Sequence, residues 1–149
     1  MCLHSVFQRG PGKKRVWSDP QMYTHAALLP GIFIASIREP PILELVVLQG
    51  IVCVLSLIWH RNHEHEDAFA KIEHFFAHGL FAYGLSQTLF SPGLLPLLMN
   101  ITCAFVTSTV YVVTYDNRAL WERWHAIGLH VVPGLWSVVI ASMHERFLF

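Results

Sequence analysis

The chain has 149 residues, 54% of them hydrophobic and only 13% charged, with ten Lys+Arg against ten Asp+Glu and ten histidines. An ordinary soluble domain carries about 25% charged residues, so half the usual charge is missing, and the even balance gives no reason to invoke nucleic acid. The apolar residues come in long blocks rather than stripes, the mark of an integral membrane protein.

A basic segment comes first, 1–21, with Arg9, Lys13, Lys14 and Arg15. Residues 22–149 read as a single all-α transmembrane domain of about five spans, with no linker long enough to divide it. The first apolar stretch runs from Met22 to Ile37, contains Pro30 and Gly31, and is closed by Arg38-Glu39-Pro40-Pro41. The second is Ile42 to His60, with Cys53 as a small apolar residue inside it. The third is Ala68 to Phe90. Ser91-Pro92-Gly93 then predicts a tight turn, which makes the third span and the fourth, Leu94 to Tyr115, an antiparallel hairpin. Thr107, Ser108 and Thr109 in the fourth span suit close helix packing, and Cys103 is again read as apolar filling. The fifth stretch is Trp121 to His144.

A membrane-crossing helix needs about 20 apolar residues, within a range of about 17–25, so the first stretch is short. Charge asymmetry speaks for counting it. With five spans, Arg9, Lys13, Lys14, Arg15, Arg61, Lys71, Arg118 and Arg123 fall on one side, and only Arg38 and Arg146 on the other. Without the first stretch the split is six against four. The positive-inside rule then favours five spans with the N-terminus on the cytoplasmic (or matrix or stromal) side. A cleaved signal peptide is the rival reading of the first run; about 20 preceding residues and the following Pro-Pro speak against it. Trp17, Trp59, Trp121 and Trp124 fall near span ends on the basic side, where an interfacial aromatic belt is expected.

This topology gathers polar residues that are far apart in sequence. His25, His60, Glu73, His74, His78, His125 and His130 all fall in the leaflet of the basic side, and only Glu44 and His144 lie near the opposite face. Ionisable side chains inside a membrane are costly and tend to mark a site or a pathway. Taken singly, each histidine is an ordinary interfacial residue, Glu73 pairs with Lys71 or snorkels, and the loop His60 to Asp67 is a solvated polar loop. Co-location is what points to a metal, haem or catalytic site. Ser56 and His60 are four apart and share a helix face, as do His74 and His78. His125 and His130 are five apart, about 140° around a regular helix, so they do not naturally hold one ion. Pro133 removes a hydrogen bond to the Leu129 carbonyl and can kink the helix there.

The run Ser56-Leu-Ile-Trp-His60 followed by Ala70-Lys-Ile-Glu-His74 resembles the signature of the CREST membrane hydrolase superfamily, which includes haemolysin III-like proteins, progestin/adiponectin receptors and alkaline ceramidases. That family has Ser-x-x-x-His ending its second span, an acidic residue opening the third, and a histidine pair in the last. The resemblance implies that His60, His125 and His130 are zinc ligands. It also implies that Ser56 and Glu73 hydrogen-bond the attacking water and share its proton, in a hydrolysis of a lipid amide or ester. This chain has glutamate where the family has aspartate, a five-residue histidine spacing where the family has four, and about five spans rather than seven.

Two other readings remain open. A small non-catalytic subunit, its partners other subunits of a larger membrane complex, expects the histidines not to converge. Haem b held by a pair such as His78 and His130 expects one histidine on each side of a flat cavity. The hydrolase expects His60, His125 and His130 around one point, with membrane lipids as its substrates.

Overall fold

In the computed structural model, which describes residues 14–62, 64, 68–114 and 117–143, every regular element is helical and no strand occurs among the described residues. The expected stretches reappear within a few residues of their sequence bounds. Lys14 and Arg15 are the described part of the basic segment; Arg9, Lys13, Tyr115, Asp116, His144 and Arg146 lie outside the described residues, as do His63 and the loop residues 65–67.

The first stretch is helical but irregular. Asp19 accepts a hydrogen bond from the Gln21 N–H and Pro20 sits at the first position of α1 (Pro20–Tyr23), an N-cap followed by a proline that has no N–H to leave unpaired. The chain then tightens into a 3₁₀ turn, Thr24–Leu28, before α2 (Leu29–Ile37). Pro30 near the start of α2 cannot donate to the turn before it, which favours such a local change of helix type.

The next elements are regular. They are α3 (Leu43–Arg61), α4 (Ala68–Leu89) and α5 (Leu94–Thr114). Gly93, at φ 101°, makes the sharp turn of the α4–α5 hairpin, a conformation that glycine adopts without strain. The last stretch begins with α6 (Arg118–His125), capped by the Asn117 side chain accepting from the Leu120 N–H. It passes through a π-helical turn, Ala126–Val131, into α7 (Val132–Met143).

Alternating direction places α2 and α7 side by side and parallel. Ala27 lies against Gly134 and Gly31 against Ser137, and the Arg38 guanidinium reaches the Ala141 carbonyl at 2.6 Å. A Cβ on Gly31 would run into the Ser137 hydroxyl, and one on Gly134 into the Ala27 carbonyl. Small residues are what let helices approach this closely inside a membrane. Buried polar side chains bind the layers together. Gln49 of α3 donates to the Leu28 carbonyl and to Ser137 Oγ, each at 2.8 Å. Trp136 donates to Asn100 Oδ1 at 2.9 Å, and Asn100 in turn donates to Ser91 at 2.7 Å.

The outside is apolar. Phe33, Val54, Phe105 and Leu135 are more than half exposed, and α3, α5 and the α6–α7 stretch are each long and apolar enough to cross a membrane. Two of the four tryptophans expected in an interfacial belt turn inward. Trp17 and Trp124 are exposed, but Trp59 and Trp121 are buried and meet edge to face with centroids 6.2 Å apart. They close the bundle interior at the histidine end instead.

Close approach at Gly134 is therefore a stability determinant. Gly134→Ala is expected to destabilise the fold by about 1–3 kcal/mol through overpacking against backbone. Gly79→Ala, with open space beyond its Cα, is expected to be neutral or to stabilise the fold by up to about 1 kcal/mol, since alanine is the better helix former. Unfolding of the detergent-solubilised protein followed by circular dichroism measures both.

Candidate metal centre

Four histidines from three parts of the chain meet at one end of the bundle. His25 comes from the 3₁₀ turn, His60 from the last turn of α3, His125 from the end of α6 and His130 from the π turn. All four are buried. The 140° separation expected for His125 and His130 does not occur, because the backbone between them is not a regular helix. A π turn closes i→i+5 hydrogen bonds, and here the Val132 N–H bonds the Ile127 carbonyl. Residues five apart thus lie one turn apart. The one-residue excess over a four-residue spacing is absorbed by the π turn, and His125 Nε2 comes to 3.2 Å from His130 Nε2. Pro133, just beyond, removes one α-type bond at this point.

The outer nitrogens fix what the inner ones present. His25 Nδ1 is 3.1 Å from the Met22 carbonyl, which only accepts, so Nδ1 carries the hydrogen. His60 Nδ1 is 2.9 Å from Glu64 Oε1 and donates to that carboxylate. His130 Nδ1 is 2.9 Å from Thr24 Oγ1, and the Thr24 hydroxyl spends its own hydrogen on the Pro20 carbonyl, so His130 is again the donor. All three rings are therefore Nδ1–H tautomers with an Nε2 lone pair left over. A ring nitrogen from each of His25, His60 and His130 lies within 4.8 Å of the other two, a group able to hold a metal ion.

His125 adds a fourth nitrogen. Its Nε2 lies 3.1 Å from His60 Nε2 and 3.2 Å from His130 Nε2, both lone-pair atoms. Either a hydrogen on His125 is shared between them, or a cation sits among the lone pairs. Imidazole ligands at about 2.0–2.1 Å from a tetrahedral ion stand about 3.3 Å apart, close to both separations. The donor set fits a borderline divalent ion such as zinc, and the anchored outer nitrogens are what such ligands usually require.

Glu64 is the residue the sequence hid. The loop after His60 reads as solvated, yet Glu64 is buried and holds three partners. Besides His60, it takes Arg15 Nη2 at 3.0 Å and Arg118 Nη1 at 2.6 Å. Burial pushes its carboxyl up, but the hydrogen bond from His60 and the charges of Arg118 and Arg15 outweigh it and hold the group below the usual carboxylate range. Its backbone sits at φ 50°, in the left-handed region. Such a conformation costs on the order of 1–3 kcal/mol for a residue other than glycine. A signal did exist: Glu64 stands four residues after His60. Thr24 and Arg15 left no comparable trace, and His25 was grouped with the polar leaflet but not with the ligands.

An apolar cavity of about 350 Å³ opens beside the cluster. His125 and His130 line it together with Ser56, Glu73 and His74, whereas His25 and His60 are not among its lining residues. Ser56 is buried one turn before His60. Glu73 neither snorkels nor pairs with Lys71: it is buried, with Oε2 at 2.9 Å from His74 Nδ1. His78 and Val112 are exposed and also line the cavity, so its mouth lies between α4 and α5. His78 donates to the His74 carbonyl and packs against Tyr111, away from the four-histidine cluster.

Compared with known proteins, the chain matches no family model, and no curated protein or solved structure matches it significantly.

Glu64→Gln keeps the side chain's size but removes the charge that orients His60. It is expected to weaken zinc binding by about 10–100-fold, the usual cost of losing such a partner, with the helical content unchanged. Competition with a chromophoric chelator measures it.

Proposed function

We propose that the chain is a metal-dependent hydrolase embedded in a membrane, with zinc as its ion and an amide or ester of a lipid as its substrate. The observation that carries this reading is the convergence of fixed imidazole lone pairs beside an apolar cavity. The resemblance of Ser56-x-x-x-His60 and Glu73 to the CREST signature supports it further.

When bound, zinc would supply a Lewis acid that polarises the substrate carbonyl. The chain's own residues do the rest. The cavity wall of Val52, Phe81 and Ile140 takes the acyl chain and excludes bulk water. Ser56 contributes a hydroxyl that orients the attacking water. Glu73, buried on the cavity side, accepts the water's proton and returns it to the leaving group. The opening between α4 and α5 admits the lipid sideways from the bilayer. Zinc is favoured over harder ions because the donors are imidazoles.

The topology proposed is five spans with the N-terminus on the cytoplasmic side. At 1.5 Å per α-residue and about 2.0 Å per 3₁₀ residue, the unbroken helical run from Pro20 to Ile37 follows a path of about 30 Å. That is the thickness of a bilayer's hydrocarbon core, although the run is short in residues. Haem b between His78 and His130 draws no support, since His130 engages Thr24 and His125 while His78 bonds its own helix. The accessory-subunit reading expects dispersed histidines, and four of them cluster.

Elemental analysis and a visible spectrum of the detergent-purified protein test the proposal. About one zinc per chain is expected, lost in His60→Ala, with no Soret band. Turnover of lipid amides or esters by the zinc-loaded wild type, and its loss in Glu73→Gln with zinc retained, completes the test. A chain with neither metal nor colour overturns it.

A further inference from the structure

Two overlapping sets of three imidazoles share His60 and His130. His25 completes one set, with its ring nitrogen within 4.8 Å of theirs. His125 completes the other, with Nε2 at 3.1 and 3.2 Å. The two completing residues sit on opposite terms with the cavity. His125 lines it, and its ring lies against Trp121 with centroids 3.8 Å apart. His25 does not line it; it is 2% exposed and its ring lies tilted against His130 with centroids 3.9 Å apart. His25 Nε2 is buried with no hydrogen-bond partner, while its Nδ1 hydrogen is committed to the Met22 carbonyl.

A buried nitrogen lone pair with nothing to accept, held among other imidazoles, is a ligand in waiting. His25, His60 and His130 share this state: outer nitrogen anchored, inner lone pair fixed. Their anchors are a backbone carbonyl, a buried carboxylate and a hydroxyl whose own hydrogen is spent.

We propose that His25, His60 and His130 are the permanent ligands of the ion, and that His125 fills its fourth, cavity-facing position and yields it to a substrate oxygen. The assignment rests on the metal-dependent reading above and goes further in separating the retained ligands from the exchangeable one. It differs from the set that the family resemblance implies, because it brings in a residue of the first helical segment. The exchange swaps one neutral lone-pair donor for another, so no proton or electron moves. It also gives the cavity its chemistry: of the two residues that complete a set, the one that lines the cavity is the one that leaves, while His130, which lines it too, belongs to both sets and is held by Thr24.

The experiment loads the full chain with zinc in lipid nanodiscs. X-ray absorption counts imidazole ligands on wild type and on His125→Ala, and chelator competition gives the zinc affinity of His25→Ala, His25→Gln and His125→Ala. Four imidazoles are expected in wild type and three in His125→Ala, which keeps most of its zinc affinity. His25→Ala and His25→Gln are each expected to lose about tenfold or more. The wild-type count holds even if a variant misfolds. Three imidazoles in wild type falling to two in His125→Ala overturns the assignment, as does wild-type zinc affinity in both His25 variants. A wild type that binds no zinc overturns it together with the metal-dependent reading. The expected counts without lipid hydrolysis support the ligand assignment and overturn the hydrolase alone.

Discussion

An imidazole buried in an apolar bundle must place two nitrogens, and the partner of the outer one decides what the inner one can do. Had any of the three anchored rings here taken the other tautomer, an N–H would point into the cluster and a lone pair at an acceptor. A buried polar atom left without its partner costs about 1–3 kcal/mol. The Met22 carbonyl, the Thr24 hydroxyl and the Glu64 carboxylate prevent this for His25, His130 and His60. These acceptors come from the first helical segment and from the loop after α3. The candidate centre therefore depends on acceptors that lie outside the long helices α3, α4 and α5.

The same dependence explains where the backbone is irregular. The 3₁₀ turn carries His25 and Thr24, the left-handed residue is Glu64, and the π turn lies between His125 and His130. Away from the site, α3, α4 and α5 run as unbroken helices. Local rules tend to be broken at functional sites and compensated around them. At Glu64 the compensation is visible. Its carboxylate is held by His60, Arg15 and Arg118 together, and these three partners fix the residue in that conformation. At the π turn, Gly128 matters in another way, because any Cβ there would press into Val110 of the neighbouring α5.

Much of this was legible in the sequence because helices long and apolar enough to cross a membrane leave a coarse signature. Apolar blocks and the Ser91-Pro92-Gly93 turn located the helices within a few residues, and the topology put His25, His60, His125 and His130 in one leaflet before any geometry was known. What stayed hidden depends on finer geometry. The separation of His125 and His130 was drawn from a 3.6-residue period, and a π turn changes that period without changing composition. Glu64 looked like one more charge in a polar loop, since sequence alone does not reveal that Arg15 lies 49 positions upstream and still reaches it. Trp59 and Trp121 sit at span ends by number and inside the bundle in space. In both cases position along the chain was read correctly and direction of the side chain was not.

Depth joins the site to the proposed substrate. On the five-span reading, His60 lies one residue from the basic end of α3 and is tied through Glu64 to Arg15 and Arg118. Charged side chains of that kind belong at the membrane–water interface, so that reading puts the proposed centre just below the headgroups rather than at the midplane. The amide and ester linkages of membrane lipids lie at that level, with their acyl chains directed inward. The cavity follows the same direction. Along α3 it is lined from Trp59 to Leu45, fourteen residues or about 21 Å of helix rise, well within the ~30 Å of a bilayer's hydrocarbon core. A pocket that begins at fixed imidazoles near the interface and runs inward between apolar walls is matched to a molecule with one polar linkage and a long tail. A soluble substrate of the same polarity would leave most of that wall uncovered.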